Sequence, residues 1–209
     1  MSAVPAARHL HSLREYLARE VREETRHEYH DGEILAMAGG SLSHSQICVN
    51  LAREMSLRLK GKPCQGFDSN LRVRIDASNR VVYPDLSVVC GTVERDPRDA
   101  SNGTITNPRV VIEVTSPSTE RYDRTEKRDH YLKLPSLQAY VLVDQDRPRV
   151  EVFMRNSDSR WELDFATGLE ATLKIAAIGV EIPLREIYDR VEFPPPKSPT
   201  GAVSEDATP

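Results

Sequence analysis

Apolar residues recur at helical spacing at Leu10, Leu13, Leu17 and Val21, and again at Ile47, Cys48, Leu51, Met55 and Leu59. The two stripes predict helices over about 10–21 and 43–60, the second closed by Gly61. Between them, Glu28-Tyr29-His30-Asp31-Gly32-Glu33-Ile34-Leu35 reads as two short strands about an Asp-Gly hairpin turn. Strands are expected next at 67–75 and 80–90, separated by Ser78-Asn79, and a polar loop follows over 91–107. The strongest strand pattern is Arg109-Val110-Val111-Ile112-Glu113-Val114-Thr115, ended by Ser116-Pro117-Ser118. A third helix is expected over 124–134 and a strand over 139–144. Two further strands, 150–155 and 161–165, read as a peripheral hairpin extension. No repeat of solenoid length is visible. After Phe193 the pattern gives way to a Pro-rich stretch, so 1–193 reads as one domain and 194–209 as a disordered tail. This order of elements predicts an α/β fold, a mixed sheet flanked by helices.

Composition narrows the class. With 209 residues, 39% hydrophobic and 29% charged, the chain suits one well-buried domain and is short for two. No run approaches the ~18 apolar residues of a membrane span, and Met1 to Leu10 hold no apolar stretch of a secretory signal. A cytoplasmic protein without membrane contact is expected. The three cysteines, Cys48, Cys64 and Cys90, are odd in number and widely spaced. That argues against a disulfide scaffold and against a thiolate zinc site. A net charge of −4 excludes a uniformly basic surface, yet cations cluster locally. Arg53, Arg58, Lys60, Lys62, Arg72 and Arg74 face only Glu54 and Asp68 in their stretch, and 121–133 carries five cations against three acids. Such stretches suit either nucleic-acid phosphates or a solvated face.

The chemistry lies in the middle of the chain. Asp85 follows Pro84 inside the apolar run Val81 to Val89. Proline forfeits a ladder hydrogen bond, so it marks an edge or a bulge that re-aims the next side chain. Glu113 stands among β-branched residues, where an ionised carboxylate is costly unless a cation or strong donors meet it. A solvated face or a structural salt bridge would account for one such acid. Two on consecutive strands point to convergence, and paired carboxylates make a hard oxygen site suited to Mg²⁺ or Mn²⁺. Lys127 shares an inward stripe with His130, Tyr131 and Leu134, whereas Lys133 lies off it. His44 begins the inward stripe of the second helix, there to pack on neighbours or to meet a phosphate or a water. Asp123 stands four residues before Lys127, to hold its ammonium or to cap the helix.

Five segments resemble the Uma-two family. They are His27-Glu28-Tyr29-His30-Asp31-Gly32-Glu33-Ile34, Tyr83-Pro84-Asp85-Leu86-Ser87-Val88-Val89, Val111 to Thr119, Asp123 to Tyr131, and Ala139 to Asp144. The resemblance covers about 10–193. It implies a restriction-endonuclease-like fold of the PD-(D/E)XK nuclease superfamily, a Mg²⁺ (or Mn²⁺) cofactor, a DNA substrate and a homodimer. It implies Asp85 and Glu113 as metal ligands, with the backbone carbonyl of Val114 as a third. Thr115 stands where the superfamily triplet has lysine; the family carries its lysine on the following helix, which matches Lys127. Glu33 resembles the additional upstream acid of the superfamily, and an exposed strand residue is its plainer reading. The sequence thus favours a Mg²⁺-dependent DNA endonuclease. A catalytically silent nucleic-acid-binding or regulatory protein on the same fold, or a metal hydrolase of a small phosphoester, would carry the same residues.

Overall fold

The computed structural model describes residues 9–37, 39–116 and 119–195, so the tail expected at 194–209 falls almost wholly outside the described residues. Helix α1 (Leu13–Glu20) starts in a capping box: Ser12 Oγ accepts from the Glu15 amide while Glu15 returns the bond to the Ser12 amide. Strands β1 (His27–His30) and β2 (Glu33–Ala36) form the expected hairpin. Its turn residues Asp31 and Gly32 both have positive φ, the conformation for which Asp-Gly is suited. Helix α2 (Leu42–Leu59) follows, capped by Ser41.

The two long strands expected at 67–75 and 80–90 are four. β3 (Cys64–Asp68) and β6 (Leu86–Cys90) pair with each other, as do β4 (Arg72–Ile75) and β5 (Arg80–Val82), but the two pairs lie in different sheets. The segment Tyr83-Pro84-Asp85 is the crossing between sheets, not a bulge within one strand. Pro84 donates no ladder bond, so pairing stops there, and Asp85 is left at the open start of β6.

The loop after β6 contains β7 (Thr104–Ile105), which joins β4 in parallel. β8 (Val110–Thr115) then runs parallel to β9 (Ala139–Asp144), which requires a crossover. That crossover is a helical segment made of α3 (Glu120–Tyr122), a π-helical turn (Asp123–Lys127) and α4 (Arg128–Tyr131). It starts earlier than the expected 124–134. β10 (Arg149–Arg155) and β11 (Trp161–Thr167) form an antiparallel hairpin that extends the same sheet outward from β9, as expected. β12 (Thr172–Ile175), β13 (Val180–Pro183) and α5 (Leu184–Ile187) complete the chain; sequence patterning assigned nothing to them.

The large sheet has the order β11-β10-β9-β8-β6-β3 and the small one β2-β1-β5-β4-β7. One face of the large sheet, with Val110, Ile112, Val141 and Val143, packs on Ile47, Leu51 and Met55 of α2 and on β12, β13 and α5. The other face, with Val111, Tyr140 and Leu142, packs on Val73 and Val82 of the small sheet and on Tyr131 and Leu134. Strand alternation therefore sends Glu113, two residues from Val111, to the face covered by the small sheet and the crossover helix.

Two expectations from composition change. Cys64 and Cys90 stand opposite each other on β3 and β6 and are disulfide-bonded, leaving Cys48 as the free thiol. Their wide separation along the chain says nothing of the strand pairing that brings them together. The first basic stretch is divided: Arg72 and Arg74 are buried and Arg58 is half-buried, while Arg53, Lys60 and Lys62 are exposed. Arg53 and Arg58 pair with Glu54, Arg72 with Asp99 and Arg74 with Asp76, while Lys62 donates to the carbonyls of Ile178 and Gly179. No helix among the described residues is long and apolar enough to cross a membrane.

Candidate active site

A cleft of about 880 Å³ opens where the two sheets, the start of α2 and the crossover helix meet. Asp85, Glu113, Lys127 and Glu33 all line it, together with Glu28, His30, His44, Arg80, Val114 and Asp123. Asp85 is half-buried at the sheet crossing, and its Oδ2 accepts from the backbone amide of Val114 at 2.7 Å. That bond fixes the Asp85 carboxylate against the end of β8, beside Glu113. The carbonyl of Val114 belongs to the same short stretch of backbone.

Lys127 is buried, and three carboxylates surround it. Its Nζ lies 2.9 Å from Glu113 Oε1, 3.5 Å from Glu28 Oε1 and 4.0 Å from Asp123 Oδ1. Tyr131, one turn further along, donates its hydroxyl to the same Glu113 Oε1 at 2.9 Å. Lys127, Tyr131 and Leu134 are buried as one stripe, His130 is half-buried and Lys133 is exposed. The π-helical turn places Asp123 beside Lys127, and Tyr140 holds the carbonyl of Asp123 from below at 3.1 Å. Such wide turns occur mostly as single insertions in helices, often at functional sites.

Glu28 was not singled out from the sequence, where Glu33 was the upstream acid noted. The structure places Glu33 half-buried on the cleft wall and Glu28, on the neighbouring strand β1, buried against Lys127. A strand-period signal was available: Glu28 and His30 share one face of β1, and two polar residues on one face of a four-residue strand call for a partner. Glu28 Oε1 also accepts from the Tyr83 amide at 3.2 Å, and Oε2 contacts His30 Nε2 at 2.9 Å. His30 in turn meets Arg80, which donates to Tyr122 and pairs with Glu126. The crossing segment 83–85 thus ties both acids: its first residue holds Glu28 and its last is Asp85.

Electrostatics divide the carboxylates. Burial pushes Glu113 up to about 8, assisted by Asp85 and Asp123 and opposed by the Lys127 charge. Burial acts on Glu28 too, but there Lys127, His30 and the Tyr83 amide prevail and hold it at about 2. Burial also raises Asp123. Lys127 is desolvated as well, yet Glu113, Glu28 and Asp123 keep it charged, well above the ordinary lysine range. His44 is raised chiefly by its bond to Asp85, Nε2 to Oδ2 at 3.3 Å. Within one cleft, then, Glu28 stays ionised beside the Lys127 cation while Glu113 holds its proton tightly.

The mixed sheets flanked by helices make an α/β nuclease-like fold. The crystal structure of "a putative nuclease belonging to DUF820" from Anabaena variabilis superposes with a TM-score of 0.64 over 82% of this chain and 96% of that one, at 22% identity. The family model of Uma2, described as "Putative restriction endonuclease", matches residues 13–185, and the chain belongs to that family. Two relatives from Synechocystis sp. are similar along most of their length. The uncharacterized protein slr1290 is 38% identical over 183 residues, 87% of this chain and 93% of the relative. The uncharacterized protein sll1609 is 33% identical over 164 residues, 78% of this chain and 90% of the relative.

Proposed function

We propose that the chain is a divalent-metal-dependent DNA endonuclease that works as a homodimer. The observation that carries the reading is the 2.9 Å contact of Lys127 with Glu113 at the wall of a cleft that also contains Asp85. A lysine buried among three carboxylates is a costly arrangement for stability alone. The donor chemistry fits a divalent ion: the Asp85 and Glu113 carboxylates, with the Val114 carbonyl, would hold it, and the raised Glu113 gains most from a nearby cation. When bound, the ion supplies charge neutralisation at the phosphate and lowers the pKa of the attacking water.

The residues of the chain do the rest. Lys127 places a fixed ammonium beside Glu113, where it orients the nucleophile and offsets charge that grows on the phosphate oxygens. Glu28 and Asp123 hold that ammonium from behind, so it stays charged and does not collapse wholly onto Glu113. Tyr131 fixes the Glu113 rotamer through its hydroxyl. A C₂ pair of chains would present two such clefts to the two strands of a duplex.

The test is nicking and linearisation of supercoiled plasmid by the full-length protein with Mg²⁺ or Mn²⁺, with chelator as the blank. Cleavage that disappears with chelator and in Asp85→Asn supports the reading. Cleavage absent in the wild type, or equal in wild type and Asp85→Asn, overturns it. Light scattering at a monomer mass over a broad concentration range would remove the dimer.

A further inference from the structure

His44, Cys48 and Asp85 bring one ligand atom each within 4.8 Å of one another. The first two stand at i and i+4 in the opening turns of α2, and the third precedes β6. The His44 ring lies between the other two groups: Nε2 is 3.3 Å from Asp85 Oδ2, and Nδ1 is 3.6 Å from Cys48 Sγ. Its seat is built by neighbours that carry no chemistry of their own. Ser41 Oγ accepts from the His44 amide at 3.1 Å, and Ser41 is itself held to Gln145, at the end of β9, at 2.9 Å. Gly40 leaves the room: a Cβ there would lie 2.8 Å from Nδ1 and 3.1 Å from Cγ of the ring. A rigid ring cannot yield to such a contact as a flexible side chain would, so the glycine is what lets the imidazole stand where it does.

We propose that His44 Nε2 is a ligand of the same ion as Asp85, and that the centre therefore selects a first-row transition ion over Mg²⁺. This rests on the reading above that an ion binds at Asp85. A separation of 3.3 Å is one that two donors of a single ion, each at ~2.1 Å, can span. Mg²⁺ favours an all-oxygen shell and keeps its waters, whereas imidazole suits the transition ions. With Nε2 on the ion, Nδ1–H points at Cys48 Sγ, which accepts weakly and fixes the ring, the part an outer partner plays for ligating histidines. Cys48 is a positioning residue in this scheme, not a ligand.

The probe is Mn²⁺ added to the full-length protein, followed by calorimetry and by pulsed electron paramagnetic resonance for coupling to a ligating ¹⁴N. The expected result is ¹⁴N coupling in the wild type and Mn²⁺ bound at least ~10-fold more tightly than Mg²⁺. In His44→Gln the coupling disappears and the preference collapses. Gly40→Ala, which removes no donor, should weaken Mn²⁺ by ~10-fold or more, as loss of an orienting contact does. Mn²⁺ bound in an Asp85-dependent manner but without ¹⁴N coupling in the wild type overturns the histidine ligand and leaves the carboxylate site standing. Coupling that survives in His44→Gln overturns it too. Binding untouched by Asp85→Asn overturns the metal reading on which the proposal rests. The wild-type spectrum decides even if a variant fails to fold.

Discussion

Glu113 Oε1 lies 2.9 Å from Lys127 Nζ and receives the Tyr131 hydroxyl at the same distance, so one carboxylate oxygen gathers two donors from successive turns of one helix. The strand delivers the acid and the crossover helix delivers the cation. Thr115, where a lysine would lie on the strand itself, instead contacts the Val143 carbonyl at 3.5 Å.

Lys127→Ala should therefore cut plasmid cleavage by ~10²-fold or more, the usual loss for one positioned electrostatic group. Lys133→Ala, exposed just beyond the same helical segment, should leave it unchanged. Lys127→Arg should restore only part, because a planar fork does not replace a compact point charge. Equal and small effects at Lys127 and Lys133 would remove the lysine from the chemistry.

Glu28→Gln tests the rear support of Lys127. The ammonium loses one of its carboxylate partners and shifts toward Glu113. The expected outcome is a fall in kcat of ~10- to 10²-fold, the scale of a misplaced catalytic group, with little change in KM for DNA. A rise in KM at constant kcat would make Glu28 a binding residue instead.

Stability of the metal-free protein should depend on pH through Glu113. The folded chain holds this proton up to about pH 8, while an unfolded chain releases it near its ordinary value of 4.5. Folding takes up a proton between those limits, so the stabilisation is complete below the lower one and is lost as pH rises toward 8. His44, raised by Asp85, contributes a loss of the same sign above its ordinary value of 6.5. Melting temperature should fall across the window in the wild type, and Glu113→Gln should flatten most of that fall while raising the melting temperature at pH 8. An unchanged slope in Glu113→Gln would place the proton elsewhere.

Thiol counting checks the disulfide. The denatured, unreduced chain should show one reactive thiol, Cys48, and the reduced chain all three cysteines. Cys90→Ser should lower stability by about 2–4 kcal/mol, the usual range for a bridge closing a loop of this kind. Three free thiols without reductant would exclude the bridge in solution.

Much of this architecture was legible because burial imposes a period. The α2 stripe, the β1–β2 hairpin with its Asp-Gly turn, and β8 all follow from spacing alone, as does the common face of Lys127 and Tyr131. What spacing could not show is which sheet a strand joins. Asp68-Ser69-Asn70 and Pro84 break the two stretches locally, but only the tertiary path shows that β3 pairs with β6 and β4 with β5. The same limit hid the partners of two site residues: Lys127 reaches Glu28 from a distant helix, and Asp85 meets His44 from the crossing segment. Ion pairs between distant elements leave no local period.

The bridge between Cys64 and Cys90 has a further consequence. Residues 64–90 form one folded-over ribbon, with β3 and β6 as its stem and β4 and β5 as its tip in the other sheet. A strand that slips by one residue against its partner turns every side chain to the opposite face. Asp85 lies at the end of this stem, about 17 Å of extended chain from Cys90. With the two sulfurs joined, β6 cannot slide along β3. The start of β6, and with it Asp85, is thus held in place against β3 by a covalent bond at the far end of the ribbon, one that touches no group in the cleft.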